Sequence, residues 1–192
     1  MWKWIPIGLL ILAGTTPSFG QDRDRRDTHG GGEPQEHRVL KVFDAKGRLV
    51  GPLSQVGSAE GVVLNVGGVS TFAAITRPFD DNTGQLHASK YAWTGIGLSY
   101  TTADCSGPPI ILDAPPAFRP SAVDRNGASA TLYIAPDAPT TLMTVQSSGY
   151  EGFCEPLTDG HSGPPPFTGN AWSIQTVYSL TDHYPEPLAV HY

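Results

Sequence analysis

Between residues 39 and 192 the apolar positions come in short runs broken by Gly, Pro, Asp or Asn. That is the rhythm of strands and turns rather than of helices. The run at 39–43 meets Asp44-Ala45-Lys46-Gly47 and resumes at Arg48-Leu49-Val50. This predicts a hairpin with Gly47 in the left-handed region and Asp44 bonding the backbone ahead of it. Residues 62–66 and 69–75 flank Gly67-Gly68, a centre that favours a tight primed turn. Strict alternation sets Ile96, Leu98 and Tyr100 on one face, with Gly97, Ser99 and Thr101 on the other. The same period recurs in 131–134, in Thr141, Met143 and Val145, and in Trp172, Ile174, Thr176, Tyr178 and Leu180. Together these runs predict an all-β fold, an antiparallel sandwich or barrel of about nine or ten short strands.

Two longer stretches lack Gly and Pro, 85–94 and 171–184. The second alternates too regularly and is too β-branched for a helix, so a single short helix is expected in the first if anywhere. Loops concentrate at 114–120 and 155–170, where Pro164-Pro165-Pro166 imposes an extended path. Asp124-Arg125-Asn126-Gly127 repeats the Asp-x-x-Gly order of 44–47 and hints at two related hairpins.

The first 20 residues follow a different pattern. Lys3 supplies a positive start, Ile5 to Ala13 a short apolar run, and Ser18-Phe19-Gly20 a small-x-small cleavage site, which together predict a signal peptide over 1–20. The apolar run falls well short of the roughly 20 residues that cross a bilayer. Leu12-Ala13-Gly14 opens like a lipoprotein box, but Thr15 stands where the lipid-bearing cysteine is required, so no lipid anchor is expected. Residues 21–37 are charged, Gly-rich and poor in apolar side chains, which predicts a disordered, flexible leader. The predicted product is a single β-rich domain over 38–192, secreted or periplasmic and free of the membrane after cleavage.

Composition sharpens this picture. Gly 22 and Pro 18 account for the many turns. The formal net charge is -6, and the basic cluster Arg23, Arg25 and Arg26 alternates with Asp22, Asp24 and Asp27. No concentrated Lys/Arg face is left to neutralise phosphates, so no nucleic-acid partner and no anionic lipid surface is expected. The only two cysteines, Cys105 and Cys154, form a disulfide on the simplest reading of an exported chain. Closing the 48-residue loop between them contributes roughly 4 kcal/mol in the chain-entropy account.

Candidate chemistry is sparse. Gly160-His161-Ser162-Gly163-Pro164 echoes a serine-hydrolase elbow, but Pro164 replaces the final Gly and further prolines block the helix that must follow. His29, His37, His87, His161, His183 and His191 lack metal-ligand spacing. Asp159, His161, Asp182 and His183 could converge only through the fold, and Phe79 to Gly84 reads as an Asx-rich turn rather than a calcium loop. No catalytic residue, metal site or cofactor is therefore predicted. Among the aromatics, most are expected in the core or in cross-strand pairs, whereas Trp93 and Tyr150 lie in turn-rich sequence and are the expected exposed, ligand-binding pair.

The series Val42-Phe43-Asp44-Ala45-Lys46-Gly47-Arg48-Leu49-Val50-Gly51, then Tyr100-Thr101-Thr102-Ala103-Asp104-Cys105-Ser106-Gly107, then Gly152-Phe153-Cys154 and a closing Pro-Glu-Pro-Leu, resembles uncharacterised β-rich domains of bacterial exported proteins. Some such domains sit near tail-fibre or surface proteins. The resemblance implies an all-β fold with a Cys105 to Cys154 bridge and no catalytic residues. The function expected from all of this is a non-enzymatic structural or interaction domain whose partner is an extracellular or periplasmic protein or a glycan. A carbohydrate or surface-ligand module is the alternative, and a hydrolase ranks third. Protein recovered from its host after export should have an intact mass that begins at Gln21; a mass retaining Met1 overturns the cleavage assignment.

Overall fold

A computed structural model describes residues 39–80, 82–95, 97–112, 114, 117–158, 160 and 163–192. The predicted signal peptide and leader lie outside the described residues, as do Asp81, Ile96, Asp159, His161 and Ser162. The fold is antiparallel and nearly all β, as expected, with fourteen strands among the described residues rather than nine or ten, and one short helix.

The chain starts with the anticipated hairpins. Strand β1 (Lys41–Phe43) turns through Gly47, at φ 74°, into β2 (Leu49–Val56). Asp44 closes this turn: its Oδ1 accepts the Lys46 and Arg48 N–H groups at 2.9 Å, and its Oδ2 takes the Arg48 Nε at 2.7 Å. Burial raises the Asp44 carboxyl pKa, but the hydrogen bonds from Arg48 and Lys46 outweigh it and hold the group below its ordinary range. Strands β3 (Ala59–Val66) and β4 (Val69–Thr76) meet at Gly67 and Gly68, both at positive φ as a type I′ turn demands. A further two-residue turn at Gly57-Ser58 joins β2 to β3 in register Val56 to Ala59, a connection the apolar pattern did not predict.

With β5 (Ala92–Trp93) and β14 (Ala189–His191) these strands form one sheet in the order β14-β1-β2-β3-β4-β5. The sheet curls until its ends meet: Tyr91 and Leu188 exchange both backbone hydrogen bonds at 2.8 Å. A second sheet, β7 (Ser121–Asn126), β8 (Ser129–Ile134) and β13 (Thr176–Ser179), packs its apolar face against the first. Val42, Val62, Leu64, Ile75 and Trp93 meet Val123, Leu132 and Ile134 in one core, to which Leu180 and Leu188 also belong. The expected choice between sandwich and barrel thus resolves into a curled sheet with a second layer laid on it.

The corner between the layers is made by β4 and the segment entering β7. Buried Thr71 donates its hydroxyl to the Arg119 carbonyl at 3.3 Å, and Ser121 Oγ donates to the Phe72 carbonyl at 3.0 Å. Two smaller sheets complete the fold: β6 (Leu98–Tyr100), β10 (Ser147–Tyr150) and β11 (Phe153–Pro156) in one, β9 (Thr141–Val145) and β12 (Phe167–Ala171) in the other. Ile110, Val145 and Ala171 form a satellite core beneath the latter.

Three local expectations are corrected. Residues 85–94 hold no helix; instead Leu86 bridges back to Phe79 and the chain runs into β5. The helix is α1 (Leu180–His183), inside the stretch read as a strand, because the Ser179 hydroxyl caps it by accepting the Asp182 N–H at 3.3 Å and Leu180 is fully buried. The two Asp-x-x-Gly segments are also unlike: the second hairpin turns at Gly127-Ala128, and Asp124 lies within β7 opposite Thr131.

The closure is held by a side-chain clamp. Glu186 Oε1 accepts the Trp93 N–H at 2.6 Å and the Arg125 Nη1 at 2.7 Å, while its Oε2 takes Nη2 at 2.9 Å. Replacing Glu186 with Gln should lower unfolding stability by about 2–3 kcal/mol, since it removes the charge from bonds of this kind and strands a partly buried guanidinium. Urea unfolding followed by tryptophan fluorescence measures this, and a change under about 0.5 kcal/mol, the range of an ordinary surface substitution, would rule the clamp out.

Candidate functional site

The disulfide joins Cys105 to Cys154 with Cα atoms 5.8 Å apart, and no free cysteine is present among the described residues. It pins edge strand β11 to the loop that follows β6. Beneath it, the buried Ser147 hydroxyl donates to the Thr102 carbonyl at 2.6 Å and accepts the Cys105 N–H at 3.2 Å. The loop, the disulfide and β10 are thus locked together.

Strand alternation then sorts the side chains of this sheet. Register pairs Tyr150 with Phe153, Gly149 with Cys154 and Ser148 with Glu155. Opposed residues share a face, so Tyr150, Phe153, Ser148 and Glu155 point outward together. Leu98 and Ser147, which are buried, belong to the inward face. Tyr150 is 53% exposed and Phe153 79% exposed, and every residue of β11 is solvent-facing. The turn between them, Glu151-Gly152, has φ 49° and 83°, the primed geometry of a two-residue hairpin. Glu151 is an uncommon residue for that conformation. Its carboxylate accepts the Tyr150 hydroxyl, and this bond keeps the phenol protonated to higher pH than usual.

The inward face rests on β7. An added Cβ at Gly95 would lie 1.9 Å from the Val123 carbonyl oxygen, so only glycine permits that crossing. Between the two layers runs a notch lined by Thr94, Gly95, Asp124, Arg125, Tyr150 and Glu151, among others. Desolvation raises the Asp124 carboxyl above its ordinary pKa, only partly offset by the Arg125 N–H. Its charge in turn adds to the burial that raises the phenols of Tyr100 and Tyr133. Arg125 is not free to compensate, because Nη1 and Nη2 both bond Glu186 and Nη1 also donates to the Trp93 carbonyl at 3.0 Å.

Of the pair expected to be exposed, Tyr150 lies on the surface as anticipated, whereas Trp93 does not. Trp93 is completely buried, with its indole N–H donating to the Tyr184 carbonyl at 3.2 Å. The reason is the closure of the sheet over it, a long-range event with no mark in the turn-rich sequence nearby. The residue that sequence reasoning missed is Phe153, whose place opposite Tyr150 follows once Glu151-Gly152 is read as a two-residue turn.

Other candidates dissolve into local structure. Asp80 Oδ1 accepts the N–H groups of Asn82 and Thr83 at 3.0 Å, which makes an Asx turn. His183 stacks on Tyr178 with ring centroids 4.1 Å apart and donates its Nδ1 hydrogen to the Ser179 carbonyl at 2.7 Å. Burial, reinforced by Tyr184, pushes Tyr178 up to about 12. No helix among the described residues is long and apolar enough to cross a membrane.

No protein-family model matches the chain, and neither the curated proteins nor the solved structures contain a match. The functional reading therefore rests on the chain's own residues.

Asp124 gives a test of the notch electrostatics. Its folded pKa lies above the unfolded value, so ionising it costs stability at pH 7, and that cost fades as the pH falls through the folded pKa. Asp124→Asn should raise the unfolding midpoint at pH 7, with the gap to the parent protein closing below about pH 4. A lower midpoint for the variant at pH 7 would contradict a desolvated, uncompensated carboxylate.

Proposed function

We infer that this chain is an exported, non-enzymatic interaction domain that meets its partner through the outward face of the β6-β10-β11 sheet. The observation that carries this is the cross-strand pair Tyr150 and Phe153, left 53% and 79% exposed on a sheet fastened by a disulfide. Exposed aromatics grouped on a rigid element are what recognition surfaces use, since large rings contribute contact area at low cost in conformational entropy. A covalent bond that constrains the unfolded chain stabilises the face without requiring its rings to be packed. Export is supported by the signal-peptide pattern and agrees with the disulfide, which persists in oxidising compartments.

A carbohydrate module is the second reading. It is favoured by half-buried Trp172, which lines a groove with Phe118 and the ion-paired Arg119 and Asp137. Trp172 is held there by its indole N–H, which donates to the Ala138 carbonyl at 3.0 Å.

Site-specific photo-cross-linking separates the two. A cross-linker at position 153 of the exported protein should yield a discrete protein adduct in the native host, and one at Val177, also exposed but on another sheet, should not. Saturable glycan binding that survives Tyr150→Ala and is lost in Trp172→Ala would transfer the function to the groove. Adducts of equal yield at both positions would remove the hairpin face from consideration.

A further inference from the structure

Charge is unevenly distributed along this chain, and the hairpin face is drawn from its stretches without Lys or Arg. Residues 91–118 and 126–192 contain no Lys or Arg, yet they hold two and six acidic residues respectively. All three strands of the disulfide-fastened sheet come from these two stretches. The arginines between them are already engaged, Arg119 with Asp137 and Arg125 with Glu186. Tyr150 and Phe153 therefore sit beside Glu151 and Glu155, and the guanidinium that feels the Glu151 charge, Arg125, is bonded to Glu186.

Such a surface is complementary to a positive partner. Aromatic faces attract ammonium and guanidinium groups through the ring quadrupole, and the carboxylates repel an anionic competitor. The notch behind Tyr150 narrows the choice between the two cations. The notch is small, a cavity of about 10 Å³, which is room for about one water-sized group. A primary ammonium has that size, whereas a planar guanidinium is wider. Asp124 and Glu151 both line the notch. Arg125, the one cation that lines it, is turned to Glu186 by two hydrogen bonds.

We propose that this face docks a lysine-bearing segment of a protein partner, one ammonium entering the notch between Asp124 and Glu151 while the lysine stem lies along Tyr150 and Phe153. The proposal rests on the interaction-domain reading and adds the chemistry of the partner. Burial holds Asp124 above its ordinary pKa, and an arriving ammonium relieves that cost.

The test is an NMR titration of the mature, disulfide-bonded protein with hexalysine, hexaarginine and a Gly/Ser hexamer at constant salt. Hexalysine should bind saturably with shifts centred on Tyr150, Glu151 and Asp124, hexaarginine several-fold more weakly, and the neutral peptide not at all. Asp124→Asn and Glu151→Gln should each weaken hexalysine about five- to ten-fold, the loss of one charge-assisted contact. Asp182→Asn, on helix α1, should change nothing. Because Glu151 occupies a turn at positive φ, Asp124→Asn decides the matter if the Gln variant fails to fold. Shifts spread over the whole acidic surface, or equal weakening by Asp182→Asn, would overturn the proposal as general attraction to a polyanion. Absence of hexalysine binding with cross-linking at position 153 intact would remove the lysine chemistry and leave the interaction face. Absence of both would remove both.

Discussion

The Glu186 carboxylate does the work of a missing strand. A curled sheet leaves the outer edge of β5 with backbone groups that cannot reach water, and an unpaired buried amide costs about as much as a lost hydrogen bond. Glu186 accepts the Trp93 N–H, and Arg125, held by the same carboxylate, donates to the Trp93 carbonyl. One bidentate ion pair therefore satisfies both backbone polar groups of Trp93 at the seam. Side chains 25% and 16% exposed make this pair intermediate between surface and core. Its geometric role is clearer than its net energy, because desolvation offsets much of the Coulomb attraction. With the seam closed, the indole of Trp93 has nowhere to go but the core, and Tyr184 supplies the acceptor its N–H requires.

The strand that supplies Arg125 also supplies the floor of the notch, and the period of two explains how. Consecutive residues of β7 point to opposite faces. Val123 and Arg125 turn toward the curled sheet, one into the core and the other to the clamp. Asp124, between them, turns toward Tyr100 and Tyr133 and the base of the disulfide-fastened sheet. A shift of register by one residue would exchange these roles, burying Asp124 against Trp93 and removing the guanidinium from Glu186. Closure of the sheet and the electrostatics of the notch are consequently set by the same register.

What could be read from the chain divides along sequence distance. The hairpins at Gly47 and at Gly67-Gly68 were legible because turn residues and flanking strands lie within a few positions of one another. The disulfide was legible because two cysteines allow only one pairing within the chain. Trp93 was misplaced because the bond to Glu186 spans 93 residues and leaves no local trace. Helix α1 was missed for a subtler reason: Leu180 fits the alternation of the preceding strand, and only the hydroxyl of Ser179 converts the next residues to a helical turn. Tyr150 could be picked out by its turn-rich setting, but its partnership with Phe153 required the register of β10 and β11.

Stability and surface chemistry are decoupled in the disulfide-fastened sheet. In the main layers, strands hold their place by burying residues such as Val62, Leu64 and Leu132, which commits their side chains to packing. Strand β11 buries none of its residues. Its position is enforced instead by the covalent link at Cys154, by pairing with β10 and by the Ser147 bridge beneath Cys105. A crosslink of this loop length acts on the unfolded chain and is worth roughly 4 kcal/mol without demanding any particular side chain on the outer face. Tyr150, Phe153 and Glu155 are thereby left free of the packing that fixes the main layers, and two large rings left in water on a covalently fastened strand are the feature on which the proposed interaction surface rests.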